Sequence, residues 1–264
     1  MWFPAMRGRR NALGLMGLTG QMSERVMEIW AGSCPRSRVR IGGMLLRILE
    51  PELMLDEAQA AAYARADFSE PHGHYVEMCQ RCFGAELTGW VLDLGCGPGD
   101  ITFRFARAFP KTSLLGVDAA PAMLRWALRA LERERALASR IQFIEGYLPE
   151  AAIPEHDYAA IISNSLLHHL PETGALWQAL GRYGRPGTRV CMMDLRRPAT
   201  EGEARRLQSA HVAGEPEVLR RDFYNSLLAA FTPEEVRQQL ALAGLKGLVV
   251  ESVSDRHLLV SGGL

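Results

Sequence analysis

The chain has 264 residues, 48% of them hydrophobic, with 30 basic and 30 acidic side chains and a formal net charge of zero. That length suits one α/β domain with an extension rather than two full domains, and the apolar content suffices for a sizeable core. Charge balance removes a global field for steering nucleic acid, no run approaches the roughly 18 uninterrupted apolar residues of a membrane span, and the five cysteines lack a paired spacing framework, which fits a reducing, cytoplasmic setting.

Residues 1–43 read as a basic arm, with Arg7, Arg9, Arg10, Arg25, Arg36, Arg38 and Arg40 against only Glu24 and Glu28. The glycine-broken stretch 11–20 lacks a small-residue cleavage site, so a secretory signal is not expected. Met22 and Met44 are alternative starts, and the arm is assigned no function. A single domain is expected over 44–264. Residues 53–83 turn helical: 56–64 is rich in strong helix formers and opens with acids, which suit a helix N-terminus. His72, His74, Cys79 and Cys82 are metal-capable side chains, but their spacing matches no zinc motif, and buried helix cysteines explain the pair. No metal is expected.

Residues 90–94 read as a buried strand, followed by a glycine turn and a helix from Asp100 whose Ile101, Phe105 and Phe109 form an apolar stripe. Gly95, Gly97 and Gly99 let the backbone bend sharply and approach a ligand. A dinucleotide fingerprint would place its third glycine at Asp100, and Asp93 would repel a pyrophosphate on the helix N-terminus, which argues against a nicotinamide-dependent oxidoreductase. The run Asp93-Leu94-Gly95-Cys96-Gly97-Pro98-Gly99 resembles the first motif of class I S-adenosylmethionine (SAM)-dependent methyltransferases.

The resemblance covers residues 56–264 and implies a doubly wound, mostly parallel seven-stranded sheet with an antiparallel last strand. It also implies N-terminal lid helices over 44–88 and a helical cap insertion over 199–231. SAM, released as S-adenosylhomocysteine (SAH), is expected at the carboxyl ends of the strands, its cationic end suited to Asp93 and its backbone cradle spanning Gly95, Cys96, Gly97 and Gly99. Tyr63 and Phe68 are the lid-facing candidates, unless they pack against the sheet domain.

Strand and helix then alternate, as a parallel sheet requires. The apolar run 113–117 ends in Asp118, about 20 residues beyond the glycines, where an acid meets ribose hydroxyls, with Ala119 beside it. Pro121 opens a helix with Leu124, Ala127, Leu128 and Leu131 as its buried face. Related enzymes pack an apolar side chain on adenine where Met123 stands; ordinary core filling is the alternative. After the strand 140–146, relatives carry Gly-Asp where this chain has Gly146-Tyr147, so Tyr147 either stacks on the base or lines the pocket.

The strand 158–163 runs into Asn164, Ser165 and the ending Leu167-His168-His169-Leu170, which resembles small-molecule methyltransferases and lacks the Asn/Asp-Pro-Pro-Tyr pattern of amino-directed nucleic-acid enzymes. His168 or His169 can accept a proton from an oxygen or thiol near neutral pH, unless the histidines are structural.

A helix over 172–183 and a strand over 189–195 follow. In the cap, Arg196 and Arg197 are candidates for an acidic acceptor, and Asp222, Tyr224, Asn225 and Ser226 for polar contacts. Tyr224 is preferred as a reactive pocket wall. Thr232-Pro233-Glu234-Glu235 is a capping box, and 248–253 with 257–260 a closing hairpin. The expected function is methyl transfer from SAM to a small-molecule acceptor, with no strong nucleic-acid signal and no membrane partner. A non-catalytic SAM-binding regulatory module and an RNA or protein methyltransferase are the alternatives. Acceptor identity and oligomeric state, a homodimer included, stay open.

Overall fold

The computed structural model describes residues 40–41, 44–50, 57–171 and 173–264. Of the basic arm it therefore covers only Arg40 and Ile41, which pair antiparallel with Met44–Leu45. Two helices follow, α1 (Glu57–Arg65) and α2 (Ser69–Phe83). The alternating segment comprises β1 (Gly89–Leu94), α3 (Asp100–Ala108), β2 (Thr112–Asp118), α4 (Pro121–Arg133), β3 (Ile141–Glu145), β4 (Tyr158–Asn164), α5 (Gly174–Tyr183) and β5 (Arg189–Leu195). The cap helices α6 (Glu201–His211) and α7 (Glu217–Ala229), then α8 (Pro233–Leu242) and the hairpin β6 (Leu248–Ser252) and β7 (His257–Gly263), complete the chain.

The sheet has seven strands in the order β3-β2-β1-β4-β5-β7-β6. All pairings among the first five are parallel, and β7 runs antiparallel to both β5 and β6. The chain starts at the centre, winds outward to β3, then returns to β4 on the other side of β1. This switch point opens a crevice at the carboxyl ends of β1 and β4, where open α/β sheets bind ligands.

Both sheet faces are covered, so the central strands read as near-continuous apolar runs. Leu92 and Leu94 of β1 pack with Leu176, Trp177 and Leu180 of α5 and Val236 and Leu240 of α8. Val91 turns to the opposite face, among Tyr75, Cys79 and Phe83 of α2 and Ile101 and Phe105 of α3. Strand alternation therefore points Asp93 at α3, where Thr102 Oγ1 donates to its Oδ2 at 2.6 Å. The capping box at Thr232 and Glu235 is present with both of its hydrogen bonds.

Two sequence expectations change. Leu128, expected on the buried face of α4, is 48% exposed, while Leu124 and Ala127 are buried; the inward stripe is narrower than the full run of apolar residues. Helix α5 begins at Gly174, and Glu172, the expected start, lies outside the described residues.

Candidate functional site

The glycine turn forms one wall of the crevice. Gly95, Gly97 and Gly99 have φ of 73°, 53° and 86°, a left-handed region that side-chain-bearing residues rarely adopt. A Cβ at Gly95 would meet Leu166 Cβ at 3.0 Å, whereas one at Gly97 would meet nothing within 4 Å, so the backbone at Gly97 lies open to the crevice. The turn is tied to β2: Gly95 N and Cys96 N donate to Val117 O at 2.8 and 3.0 Å, and Gly97 N donates to Asp118 Oδ2 at 2.7 Å. Ala120 N donates to Asp118 Oδ1 at 2.8 Å, fixing the carboxylate. Burial pushes the Asp118 carboxyl above its ordinary range, against the backbone N–H groups that favour its charged form.

Helices α1 and α2 close the opposite wall. Tyr63 and Phe68 contact at a ring-centroid distance of 4.7 Å, and Phe68 stacks on His72 at 5.1 Å. His72 Nδ1 lies 2.7 Å from Asp100 Oδ2, which also accepts from Arg104 Nε at 2.7 Å. Met123 packs with Ala60, Ala120 and Ala122 in a small apolar cluster flanked by Tyr63, joining α1 to α4.

At the end of β4 the chain turns through Ser165, whose φ of 57° makes it the one non-glycine residue with positive φ among those described. Such strain gathers where a site demands a particular backbone. The adjacent Asn164 Oδ1 is buried with no hydrogen-bond partner, a costly state that a ligand donor would relieve.

Beyond this turn, His168 is 3% exposed. Its Nδ1 lies 2.6 Å from Asp194 Oδ1 at the end of β5, and its Nε2 lies 3.4 Å from Glu50 Oε1. Burial pulls the His168 pKa down, but the charge and hydrogen bond of Asp194, with Glu50 behind them, outweigh it and the net shift is upward. Burial also raises Glu50, against the pull of His168. His169 Nδ1 is 3.2 Å from Glu50 Oε1, and the His169 side chain keeps 19% of its exposure. His168 is thus clamped between carboxylates, whereas His169 reaches open space.

Two adjoining cavities share this ground. The first is lined by the glycine turn, Asp93, Asp118, Ala119, Met123, Gly146 and Tyr147. The second runs under the cap past His168, Met193, Phe223, Ser226 and His257. Tyr63, Phe68, His72, Asn164, Ser165 and His169 line both.

Asp93 carries a pH signature. Burial, with a smaller push from Asp118, lifts its carboxyl from 3.8 to about 7, although the Thr102 hydrogen bond opposes the rise. A folded pKa above the unfolded value means that its stabilisation is fully present below about 4 and is lost as pH rises through about 7. The ligand-free protein is therefore expected to lose stability between pH 4 and 7 relative to Asp93→Asn, by roughly 4 kcal/mol at about 1.4 kcal/mol per unit. Urea denaturation of both proteins at a series of pH values checks this, and parallel pH profiles would refute it.

Of the residues expected to meet the cofactor, all but Gly99 line the crevice; Gly99 faces the core, where a Cβ would meet Phe143 and Phe103, so its part is to shape the turn. His169 lines the crevice at its far end, and His168 lines only the second cavity. Tyr224 does not join them: it faces a separate surface groove, and its hydroxyl donates to Glu201 Oε1 at 3.2 Å. Arg197 is 6% exposed and donates to Ala230 O and Glu235, holding the end of the cap to the domain, while Arg196 donates to Asp255 O in the turn between β6 and β7. The set His72, His74, Cys79 and Cys82 does not come together either. His72 serves Asp100, while Cys79 Sγ lies 3.4 Å from Cys191 Sγ. Sequence reasoning missed Glu50, Arg47 and Asp194; of these only Asp194, an acid closing a buried strand as Asp118 does, carried a readable signal.

Residues 91–188 match a family model described as a methyltransferase domain. Over 130 residues the chain is 32% identical to the 2-phytyl-1,4-naphtoquinone methyltransferase of Synechococcus elongatus, covering 48% of this chain and 54% of that protein. Over 97 residues it is 32% identical to the trans-aconitate 2-methyltransferase of an Azoarcus species, covering 37% and 35%. The chain thus spans about half or less of the length of the curated relatives it matches. A plantazolicin methyltransferase crystallised with SAH superposes with a TM-score of 0.54 at 14% identity, covering 79% of this chain and 96% of that one, a likeness of fold.

Proposed function

We propose that the chain, whose residues 91–188 match a methyltransferase domain and whose fold is that of a SAH-bound methyltransferase, is a class I SAM-dependent methyltransferase that transfers the SAM methyl group to a nucleophilic atom of a small-molecule acceptor held under the helical cap. The observation that carries this reading is the pair of adjoining cavities meeting at Asn164, Ser165 and His169. One has the features that SAM needs, and the other, enclosed by α2, α6 and α7, has the scale of a small molecule.

The residues fit SAM. The partnerless Asn164 Oδ1 suits a donor such as the ammonium, the open backbone at Gly97 admits a close approach, and Asp118 keeps lone pairs for ribose hydroxyls after its two backbone bonds. Asp93 gains its charge most readily beside a cation, in keeping with its raised pKa. When bound, SAM supplies a methyl group already activated by its sulfonium. The chain's part is then chiefly positioning: the Tyr63–Phe68–His72 wall excludes water, and the strained Ser165 turn fixes the boundary between the two cavities.

His169 is the imidazole placed to act on the acceptor, since His168 is committed to Asp194. A ring nitrogen here can accept the acceptor's proton directly or hold an ion that meets the acceptor. Naphthoquinone- and trans-aconitate-directed relatives support a small acceptor, and Tyr147, 44% exposed at the rim, is assigned a lining role. Among the described residues no helix is long and apolar enough to cross a membrane.

The test is methyl transfer from labelled SAM to a panel of small oxygen, nitrogen and thiol acceptors. His169→Ala is expected to lower turnover at least about tenfold, the low end of general-base contributions, while SAH affinity stays within about twofold. Full turnover in the variant would remove His169 from the reaction. Binding without turnover on any small acceptor would favour a regulatory module or a macromolecular acceptor.

A further inference from the structure

We propose that Glu50, His168 and His169 form a divalent transition-metal site at the inner end of the second cavity, where the ion holds an oxygen of the acceptor. Glu50 Oε1 lies 3.4 Å from His168 Nε2 and 3.2 Å from His169 Nδ1, and the three residues each offer a ligand atom within 4.8 Å of the others. Ligands bound at roughly 2.0–2.2 Å around one ion stand about 3.0–3.5 Å apart at tetrahedral or octahedral angles. Both carboxylate–imidazole separations fall in that range, and a small rotation of the exposed-edge His169 would bring the imidazoles together.

The surroundings are those of a metal site as well. Asp194 Oδ1 engages His168 Nδ1 at 2.6 Å, which leaves Nε2 as the atom presented to Glu50, and a carboxylate behind a histidine is the usual outer support of a ligating imidazole. Ser226 Oγ donates to Glu50 Oε1 and Oε2 at 3.1 and 3.2 Å, orienting the carboxylate from the cap side. Arg47 spends its donors on backbone, reaching His168 O at 3.0 Å and Leu170 O at 2.9 Å, and so fixes the turn that carries both histidines. Three protein ligands leave coordination positions for the acceptor, and His168, His169 and Ser226 line the cavity where it would sit.

A donor set of two imidazoles and one carboxylate suits Zn²⁺, Fe²⁺, Co²⁺ or Mn²⁺ better than Mg²⁺ or Ca²⁺, which favour oxygen-rich shells. Such an ion would select acceptors that offer a hydroxyl, enolate or carboxylate oxygen, a narrower class than small molecules at large. The ion's purpose rests on the methyltransferase reading, but its binding is testable without it.

The experiment uses the full chain, free of any affinity tag and stripped with chelator, titrated with Co²⁺ by visible absorption and with Zn²⁺ by calorimetry. The expected result is one ion per chain, with affinity reduced at least about tenfold in Glu50→Gln and in His169→Asn, and about 10–100-fold in Asp194→Asn. Thermal unfolding of each variant separates loss of the site from loss of the fold. The proposal is overturned if no ion binds, or if folded Glu50→Gln and His169→Asn bind it as tightly as the parent. SAH titration of the same stripped protein reports the cofactor reading separately: SAH bound without an ion overturns the metal site alone.

Discussion

Asp118→Ala is expected to weaken binding of SAM and SAH by about 10–150-fold, the range corresponding to the 1.5–3 kcal/mol of hydrogen bonds to a charged group. The carboxylate acts twice. It accepts from Gly97 N at 2.7 Å and from Ala120 N at 2.8 Å, so it holds the glycine turn against the end of β2. Its remaining lone pairs face the crevice, where a pair of ribose hydroxyls would meet an oriented acceptor in place of water. Alanine removes the ligand contact and leaves the Gly97 and Ala120 donors unpaired, so the turn loosens as well. Asp118→Asn keeps one acceptor oxygen and should fall between parent and alanine variant. Calorimetric titration with SAH measures all three. Parent-like affinity in Asp118→Ala would remove this residue from the ribose subsite.

The second large effect concerns stability. Asp194→Ala is expected to destabilise the fold by about 3–5 kcal/mol, the usual consequence of breaking one side of a buried ion pair. Asp194 is 4% exposed, and besides His168 Nδ1 at 2.6 Å it accepts from Leu167 N and Leu195 N, each at 2.7 Å. Burial raises its pKa, but His168 and the backbone donors outweigh that and hold the carboxyl below its ordinary range. Truncation would orphan two backbone donors and leave the imidazole of His168 without its counter-charge, in a place water reaches poorly. His169→Ala should cost far less, because that ring is only partly enclosed. Urea denaturation of the two variants decides the matter, and a loss below about 1 kcal/mol in Asp194→Ala would show that the pair contributes little.

The parts of the site that were legible in the sequence are local. Glycines at 95, 97 and 99 announce a turn because they permit left-handed conformations at alternate positions. The place of Asp118 beside that turn was readable because it is an acid ending an apolar run at a set distance from the glycines, and Gly97 N donates to its carboxylate. The capping box at Thr232 was readable for the same reason: both partners lie within four residues. What failed depended on contacts distant along the chain. Glu50 meets His168 across 118 positions in a stretch with no motif of its own, and only the return of β4 to the centre of the sheet brings them together.

The adjacent histidines look equivalent as letters, but the turn ties His168 Nδ1 to Asp194 at the end of β5 and buries it, whereas His169 stays partly exposed and lines both cavities. Tyr224 illustrates the opposite error. An amphipathic aromatic suits a pocket wall, but helical phase decides which wall, and here it faces α6, beside Arg205 at 5.4 Å and Glu201. Leu128 was misjudged likewise, as an apolar residue on the wrong side of α4.

Calorimetric titration of the full chain with SAM, SAH and NADH addresses the cofactor assignment most directly. Single-site binding of SAM and SAH, with none for NADH, is the expected result, and it would direct acceptor screening to the cavity beneath α6 and α7. Tight binding of NADH, or no binding of either adenosyl ligand, would contradict the assignment and leave the glycine turn as a purely structural bend.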